Sequence, residues 1–344
     1  MNTPVLDEGL LRLRHTGPEY TGTLTNHGPM VIEALTALGR PEAVQPWLSG
    51  YLPQLDSRPA RFQPVERATW RQALGDVRRV TDWLLFFRAE LSQNDWPTIA
   101  TTWWSRLLPG VAAGATHGII RTSHALRSMA EFPSDERLGE LAGALAYWAA
   151  RYTELPGSPA ATGHLTLRKA VPRLPLHPNG VHPGLIRDRL DSLSAVPGFP
   201  GAVGGLRSPA SPGQGVTELA EMFAELFVTH GRQWPTAFVH AVTAPVAAGS
   251  VLHLLPPELQ RHTHDRLWQL AAALYTAHAP TAPIRPLPAD NPPDPADLTD
   301  QAVDNGDEHA IKLTEACLRA YGNTDNPIFL HAAAAGLTLF PEEE

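Results

Sequence analysis

Five histidines fall inside apolar helical stretches, where an imidazole needs a partner: His27 in TNHGPMVIEAL, His117 in GATHGIIRTSHAL, His240 in AFVHAVTAPVAA, His309 in DEHAIKLTEACL and His331 in IFLHAAAAG. His309 and Lys312 form the sharpest local pair, because a spacing of i and i+3 puts both side chains on one helix face. Lysine is scarce here. Of 27 cationic residues only Lys169 and Lys312 are lysines. Arginine cannot lose its proton in a protein and lysine can, so each surviving lysine poses a chemical question. On one reading Lys312 snorkels along its helix to water. On the other it is buried, its pKa falls, and its neutral amine reacts with carbon dioxide to give a carbamate. A carbamate is an oxygen ligand, and with several neutral imidazoles it forms a nitrogen and oxygen site suited to iron, where an open position can take dioxygen.

The neighbours of these residues admit two roles as well. Asp304, Asp307 and Glu308 upstream of His309, and Glu33 after His27, are candidates to hold ring tautomers as partners behind the ligands. Asp307 and Glu308 equally favour the positive end of a helix. His124 follows His117 by seven residues and shares its face; with Ser123 and Arg127 beside it, a supporting or surface role stands alongside ligation. His124 and His331 are the alternatives if one of the other ligands is dropped. His262 and His264 read as solvated, and His164, His177 and His182 stay unassigned. Trp83, Phe86, Phe87, Trp103, Trp104 and Trp234 are candidates either for the walls of a flat substrate's pocket or for ordinary core.

Helices must position these groups. Pro29 follows Asn26 in a first turn and Gly39 stops the first of them; a short helix starts at Pro41. Trp70 to Ser92 carries Leu74, Val77, Val80, Leu84 and Phe87 on one stripe, which predicts a single long helix. Further helices are expected over Trp96 to Pro109, Gly110 to Glu131, Ser134 to Tyr152, Val216 to Thr229, Trp234 to Leu255 with Pro245 inside, Pro256 to His278, Asp307 to Tyr321 and Asn326 to Leu339. Proline and glycine dominate about 155–215, with one short helix over Val181 to Leu193. That stretch is too long for a plain connection and reads as a lid, a wrapped excursion or a boundary. A second proline-rich linker covers about 279–296. Period-2 alternation is almost absent, so the fold class is all-α, an orthogonal or bundle-like array in a single large domain over 1–344.

Composition narrows the function. The net charge is −8 without a basic block, which argues against nucleic acid. One cysteine, Cys317, excludes an internal disulfide and any cysteine cluster. Phosphate-loop, zinc-protease, nucleophile-elbow and dinucleotide fingerprints are missing. No apolar run of about 18 residues is evident, and acids stand where a secretory signal has its apolar stretch, so a cytoplasmic protein without membrane contact is expected.

At these same residues the chain resembles the questin oxidase-like family, oxygenases that act on polyketide-derived anthraquinones and related aromatics. The matching stretches are NHGPMVIEALTALG (26–39), GATHGIIRTSHALR (114–127), FVHAVTAPVA (238–247) and HAIKLTEACLRAYG (309–322). The resemblance implies an all-helical fold and oxidative cleavage or Baeyer-Villiger-like oxidation of an aromatic ketone or quinone. It further implies a non-haem Fe(II) held by His27, His117, His240, His309 and a carboxylated Lys312, the last two also serving catalysis. Partners so implied are a small aromatic substrate and dioxygen, with NADPH as a candidate reductant and a homodimer as a candidate assembly. Gly28 departs from the bulkier apolar residue common at that position in the family. Two rival readings are a helical binding or scaffold protein without metal, and an oxygenase in which the histidines act as acids and bases without metal.

Overall fold

A computed structural model describes residues 4–178, 185–288 and 291–340. It is all-α, as expected: among the described residues the only sheet is a two-stranded antiparallel pair, β1 (Glu19–Tyr20) and β2 (Leu24–Thr25), with Glu19 opposite Thr25. The chain divides into two compact units, residues 1–154 and 155–344.

The first unit holds α1 (Pro4–Leu13), α2 (Gly28–Ala37), α3 (Val44–Tyr51), α4 (Val80–Gln93), α5 (Trp96–Leu107), α6 (His117–Glu131) and α7 (Asp135–Ala150). Helix α7 is the hub, packed on α4 and α6. Ser134 caps it by accepting a hydrogen bond from the Arg137 amide. Glycine sets how close α6 comes: a Cβ on Gly118 would lie 2.8 Å from the Trp148 ring. Trp83, Phe87, Trp103 and Trp104 are fully buried and Phe86 nearly so. Trp83 stacks on Phe87 and meets Trp103 edge to face, with ring centroids 5.6 and 5.7 Å apart. These five aromatics therefore build core.

Two helices of this unit are shorter than the apolar periodicity predicts. The stretch from Trp70 breaks into two 3-10 turns before α4, because Gly75 takes the left-handed conformation at φ +76° and Asp76 caps the following turn through the Arg78 amide. The helix expected from Gly110 begins only at His117. Gly114, Ala115 and Thr116 are all left-handed, with φ of +55°, +51° and +84°. For a β-branched threonine this conformation is strained, at roughly 1–3 kcal/mol.

The second unit holds α8 (Leu167–Ala170), α9 (Ile186–Asp191), α10 (Phe199–Gly204), α11 (Pro212–His230), α12 (Pro235–Val251), α13 (Pro257–His278), α14 (Pro295–Asn305), α15 (Glu308–Thr324) and α16 (Ile328–Leu339). Helices α11 and α12 pack as a pair, and α15 lies against α12, α14 and α16. The proline-rich excursion is stitched into this unit. Gln269 reaches the carbonyls of Leu155, Pro156 and Gly157, and Trp268 donates to Val203. Of the helix expected over Val181 to Leu193, positions 181–184, His182 among them, lie outside the described residues. Helix α14 emerges at the end of the second proline-rich linker, where Asp294 caps it through the Ala296 amide. The stretch Pro235–Leu254 is long and apolar enough by length and composition to cross a membrane, which corrects the sequence expectation; 78% of its apolar window is buried inside the protein.

Candidate metal-ligating residues

In the first unit His27 and His117 come together, with Nε2 atoms 2.7 Å apart. His27 is the residue immediately before α2, and its backbone N–H donates to the Tyr51 hydroxyl at 2.8 Å. His117 opens α6, directly after the strained turn. That turn has a specific product: the Gly114 carbonyl lies 2.7 Å from His117 Nδ1 and also accepts the His117 amide. A carbonyl can only accept, so Nδ1 carries a proton, and in the neutral ring Nε2 presents its lone pair toward His27. Two imidazole nitrogens bound to one metal at right angles stand roughly 3 Å apart when each metal–nitrogen bond is ~2.1 Å, so this pair fits a metal. The donated Nδ1–H toward a carbonyl is the arrangement by which ligating histidines are oriented.

A polar chain that sequence reasoning missed runs behind His117. Thr25 Oγ1 lies 3.3 Å from His117 Nδ1 and 2.8 Å from the Tyr147 hydroxyl. Tyr147 in turn donates to Glu19 at 3.0 Å, and Arg151 pairs with both oxygens of Glu19. The direction follows from the end. Glu19 only accepts, so Tyr147 donates to it, Thr25 donates to Tyr147, and Thr25 is left to accept from His117. Burial, with Glu19 beside it, raises the Tyr147 phenol far above its ordinary value, so it keeps its proton. The one sequence signal was Tyr147 and Arg151 at i and i+4, across the C-terminal end of α7.

Glu33 does not hold the His27 ring. It accepts from His124 Nδ1 at 2.7 Å and from the Arg127 guanidinium through both oxygens. Burial alone would push its carboxyl up, but Arg127 and His124 outweigh it and hold the group far below the usual carboxylate range. His124 thus serves a buried ion cluster.

The second unit brings His240, His309 and Lys312 into one region. His240 is buried on α12, and its ring centroid lies 5.7 Å from that of His309 at the start of α15. His309 stacks on Phe340 at 5.2 Å. Asp307 is a cap: its Oδ1 accepts from the amides of His309 and Ala310 at 2.7 and 2.9 Å. His309 Nδ1 is 3.9 Å from both Asp307 and Glu308, beyond hydrogen-bond reach. Asp304 is exposed on α14. Lys312 is only 4% exposed. Burial pulls its ammonium down to about 8 against the opposing pull of Glu308 and Asp307. The snorkelling alternative therefore gives way to a buried amine. His331 sits half-buried in the first turn of α16, and His264, expected to be solvated, is buried and bonded to Asp265 at 2.9 Å.

Residues 24–179 match the model of a family described as Questin oxidase-like, which bears out the resemblance drawn from the sequence. The matched stretch contains His27, His117 and His124 and ends before His240, His309 and Lys312. A comparison with curated proteins gave no match.

Proposed function

We propose, from the premise that this stretch is questin oxidase-like, that the chain is an oxygenase of aromatic polyketides, its substrate an anthraquinone or a related polyphenol that undergoes ring cleavage or Baeyer-Villiger-like oxidation. The proposed cofactor is a non-haem Fe(II), with His27, His117, His240, His309 and N-carboxylated Lys312 as its ligands. The observation that carries this reading is the His27–His117 pair, whose facing Nε2 atoms and fixed Nδ1–H proton suit it to a cation. Bound iron supplies the redox chemistry with dioxygen that amino-acid side chains lack.

The residues of the chain prepare that chemistry. The Gly114 carbonyl and the Thr25–Tyr147–Glu19 chain hold a proton on His117 Nδ1 and fix the orientation of its ring. Lys312, lowered to about 8, has about a tenth of its amine neutral at pH 7, against well under a thousandth for an ordinary lysine. Its Nζ lone pair forms a bond to the carbon of carbon dioxide and one proton leaves, giving an anionic oxygen donor. His27, His117, His240 and Lys312 are each no more than 4% exposed, so bulk water is kept away.

The test is elemental mass spectrometry for iron on protein purified without chelator, followed by oxygen uptake with hydroxyanthraquinones, with and without NADPH. Near-stoichiometric iron with substrate-dependent oxygen uptake is expected. Labelling with ¹⁸O₂ separates the types: one labelled atom in the product assigns a monooxygenase and two a dioxygenase. Iron-free protein after anaerobic ferrous reconstitution with bicarbonate overturns the reading and leaves a helical scaffold.

A further inference from the structure

The first unit contains a cleft of about 230 Å³ that the metal-ligand residues do not line. Four arginines from four separate segments converge on it: Arg14 just after α1, Arg58 in the connection after α3, Arg88 in α4 and Arg121 in α6. Arg121 is neutralised by Glu140, whose two oxygens lie 2.6 and 2.8 Å from its guanidinium. The other three have no carboxylate within ion-pair distance among the described residues. Arg58 donates to the backbone carbonyl of Arg14, and Arg14 Nε to the His15 ring at 2.8 Å. In a chain of net charge −8, gathering unpaired guanidinium groups is costly. The cost is visible at Arg58, which is pulled below its ordinary value by burial first and then by the repulsion of Arg88, Arg121 and Arg14.

The arginines are held by structure. Residues 56–58 are stitched to the end of α1: Gly17 N–H donates to Asp56, Arg58 N–H donates to His15, and Thr16 bridges Ser57. Asn26 closes the same wall by donating to Thr16 Oγ1 and the Gly17 carbonyl at 3.0 and 2.8 Å. The remaining surface is apolar. Leu10, Leu13, Val80 and Leu84 line it, with Gly139, Gly143 and Ala146 as the small-residue face of α7. The two other acids, Asp135 and Glu136, belong to the first turn of α7, roughly 15 Å along the helix from Ala146 at 1.5 Å per residue.

We propose that this cleft is a binding site for a small organic acid, its apolar body against Leu10, Leu13, Val80 and Leu84 and its carboxylate on the guanidinium groups of Arg58 and Arg88. Planar guanidinium forks match a carboxylate in a bidentate way, and an anion removes the repulsion that the empty arrangement carries. The inference is independent of any metal.

Isothermal titration of the full chain at low salt with 1-naphthoate tests it, with 1-naphthalenemethanol as the neutral isostere and inorganic phosphate as the head group alone. One saturable naphthoate site per chain is expected, with the alcohol and phosphate at least about tenfold weaker. Arg58→Gln and Arg88→Gln should each weaken naphthoate about tenfold, in line with loss of one charge-assisted pair. Arg88 is exposed, so its replacement should leave the fold intact, and unchanged affinity in Arg88→Gln and Arg58→Gln together overturns the proposal. Equal binding of the alcohol overturns the role of charge, phosphate binding as tight as naphthoate makes this a site for inorganic anions instead, and no saturable binding removes it altogether.

Discussion

His117 Nδ1 lies 2.7 Å from the carbonyl of Gly114, three residues earlier, and the backbone between them is left-handed throughout. The turn aims the carbonyl at the ring, and the ring proton answers it. Strain in the chain and orientation of the imidazole are thus one feature.

Thr116→Gly separates the two. Glycine adopts φ +84° without a Cβ penalty, and the substitution also deletes a buried hydroxyl that has no hydrogen-bond partner. Stability against denaturant should rise by about 1 kcal/mol. Iron content should fall, because the turn becomes free to turn the Gly114 carbonyl away. A variant that is both stabilised and fully metallated would detach the strain from the site.

Tyr147→Phe tests the chain behind His117. It leaves Thr25 and Glu19 without their shared partner in a buried setting, which should cost about 1–3 kcal/mol. Metal affinity should drop by roughly 10–100-fold, the usual effect of losing a group behind a ligand. Equilibrium dialysis with ferrous iron is the measurement, and His117→Ala sets the limit of complete loss.

Lys312 offers a contrast between two substitutions. Lys312→Met removes the amine without stranding a charge, so its melting temperature should match or exceed that of the parent chain. Lys312→Arg buries a charge that cannot be lost, and should melt lower. Both should lose iron, since neither side chain forms a carbamate. The parent protein labelled with ¹³C-bicarbonate should show one carbamate carbon that both variants lack; full iron in Lys312→Met would exclude the lysine as a ligand.

His278 controls acid stability. Only 1% exposed in the second unit, it is held at about 4 by burial, against an ordinary value of 6.5. The unfolded chain therefore takes up a proton near pH 6.5 that the folded chain refuses until about 4. Its contribution is complete above 6.5 and lost as pH falls through that window, by roughly 1.4 kcal/mol per pH unit and about 3 kcal/mol in all. Denaturant midpoints measured from pH 7 to 4.5 should fall, and His278→Gln should flatten the slope over that range.

Much of this was legible in the sequence. The spacing of His309 and Lys312 on one helix face, the capping residues Ser134 and Asp307, and the all-helical class are local properties that short stretches specify on their own. The break at Gly75 and the late start of α6 were not, because the apolar stripe continues through both positions while the backbone dihedrals do not. The partner of Glu33 was misread for a similar reason. Proximity in sequence favoured His27, whereas Glu33 sits 91 residues from the imidazole it accepts from. Glu19, Thr25 and Tyr147 were invisible as a set, since a polar chain drawn from β1, β2 and α7 exists only after the strands and helix have packed.

Gly28 has a consequence for how this protein can change. A Cβ there would sit 2.8 Å from Leu13 Cδ2, so the end of α1 already fills the space that a larger residue at position 28 would occupy. The two positions share one volume. Gly28→Leu alone should be destabilising because the Leu13 side chain must give way, and less so once Leu13 is trimmed to alanine, although the new Cβ would still meet Asn26 Oδ1 at 3.0 Å; the order in which the two substitutions arise sets the cost of the path between them. The pair is then a case of epistasis, in which the residue at the end of α1 fixes what is permitted beside His27.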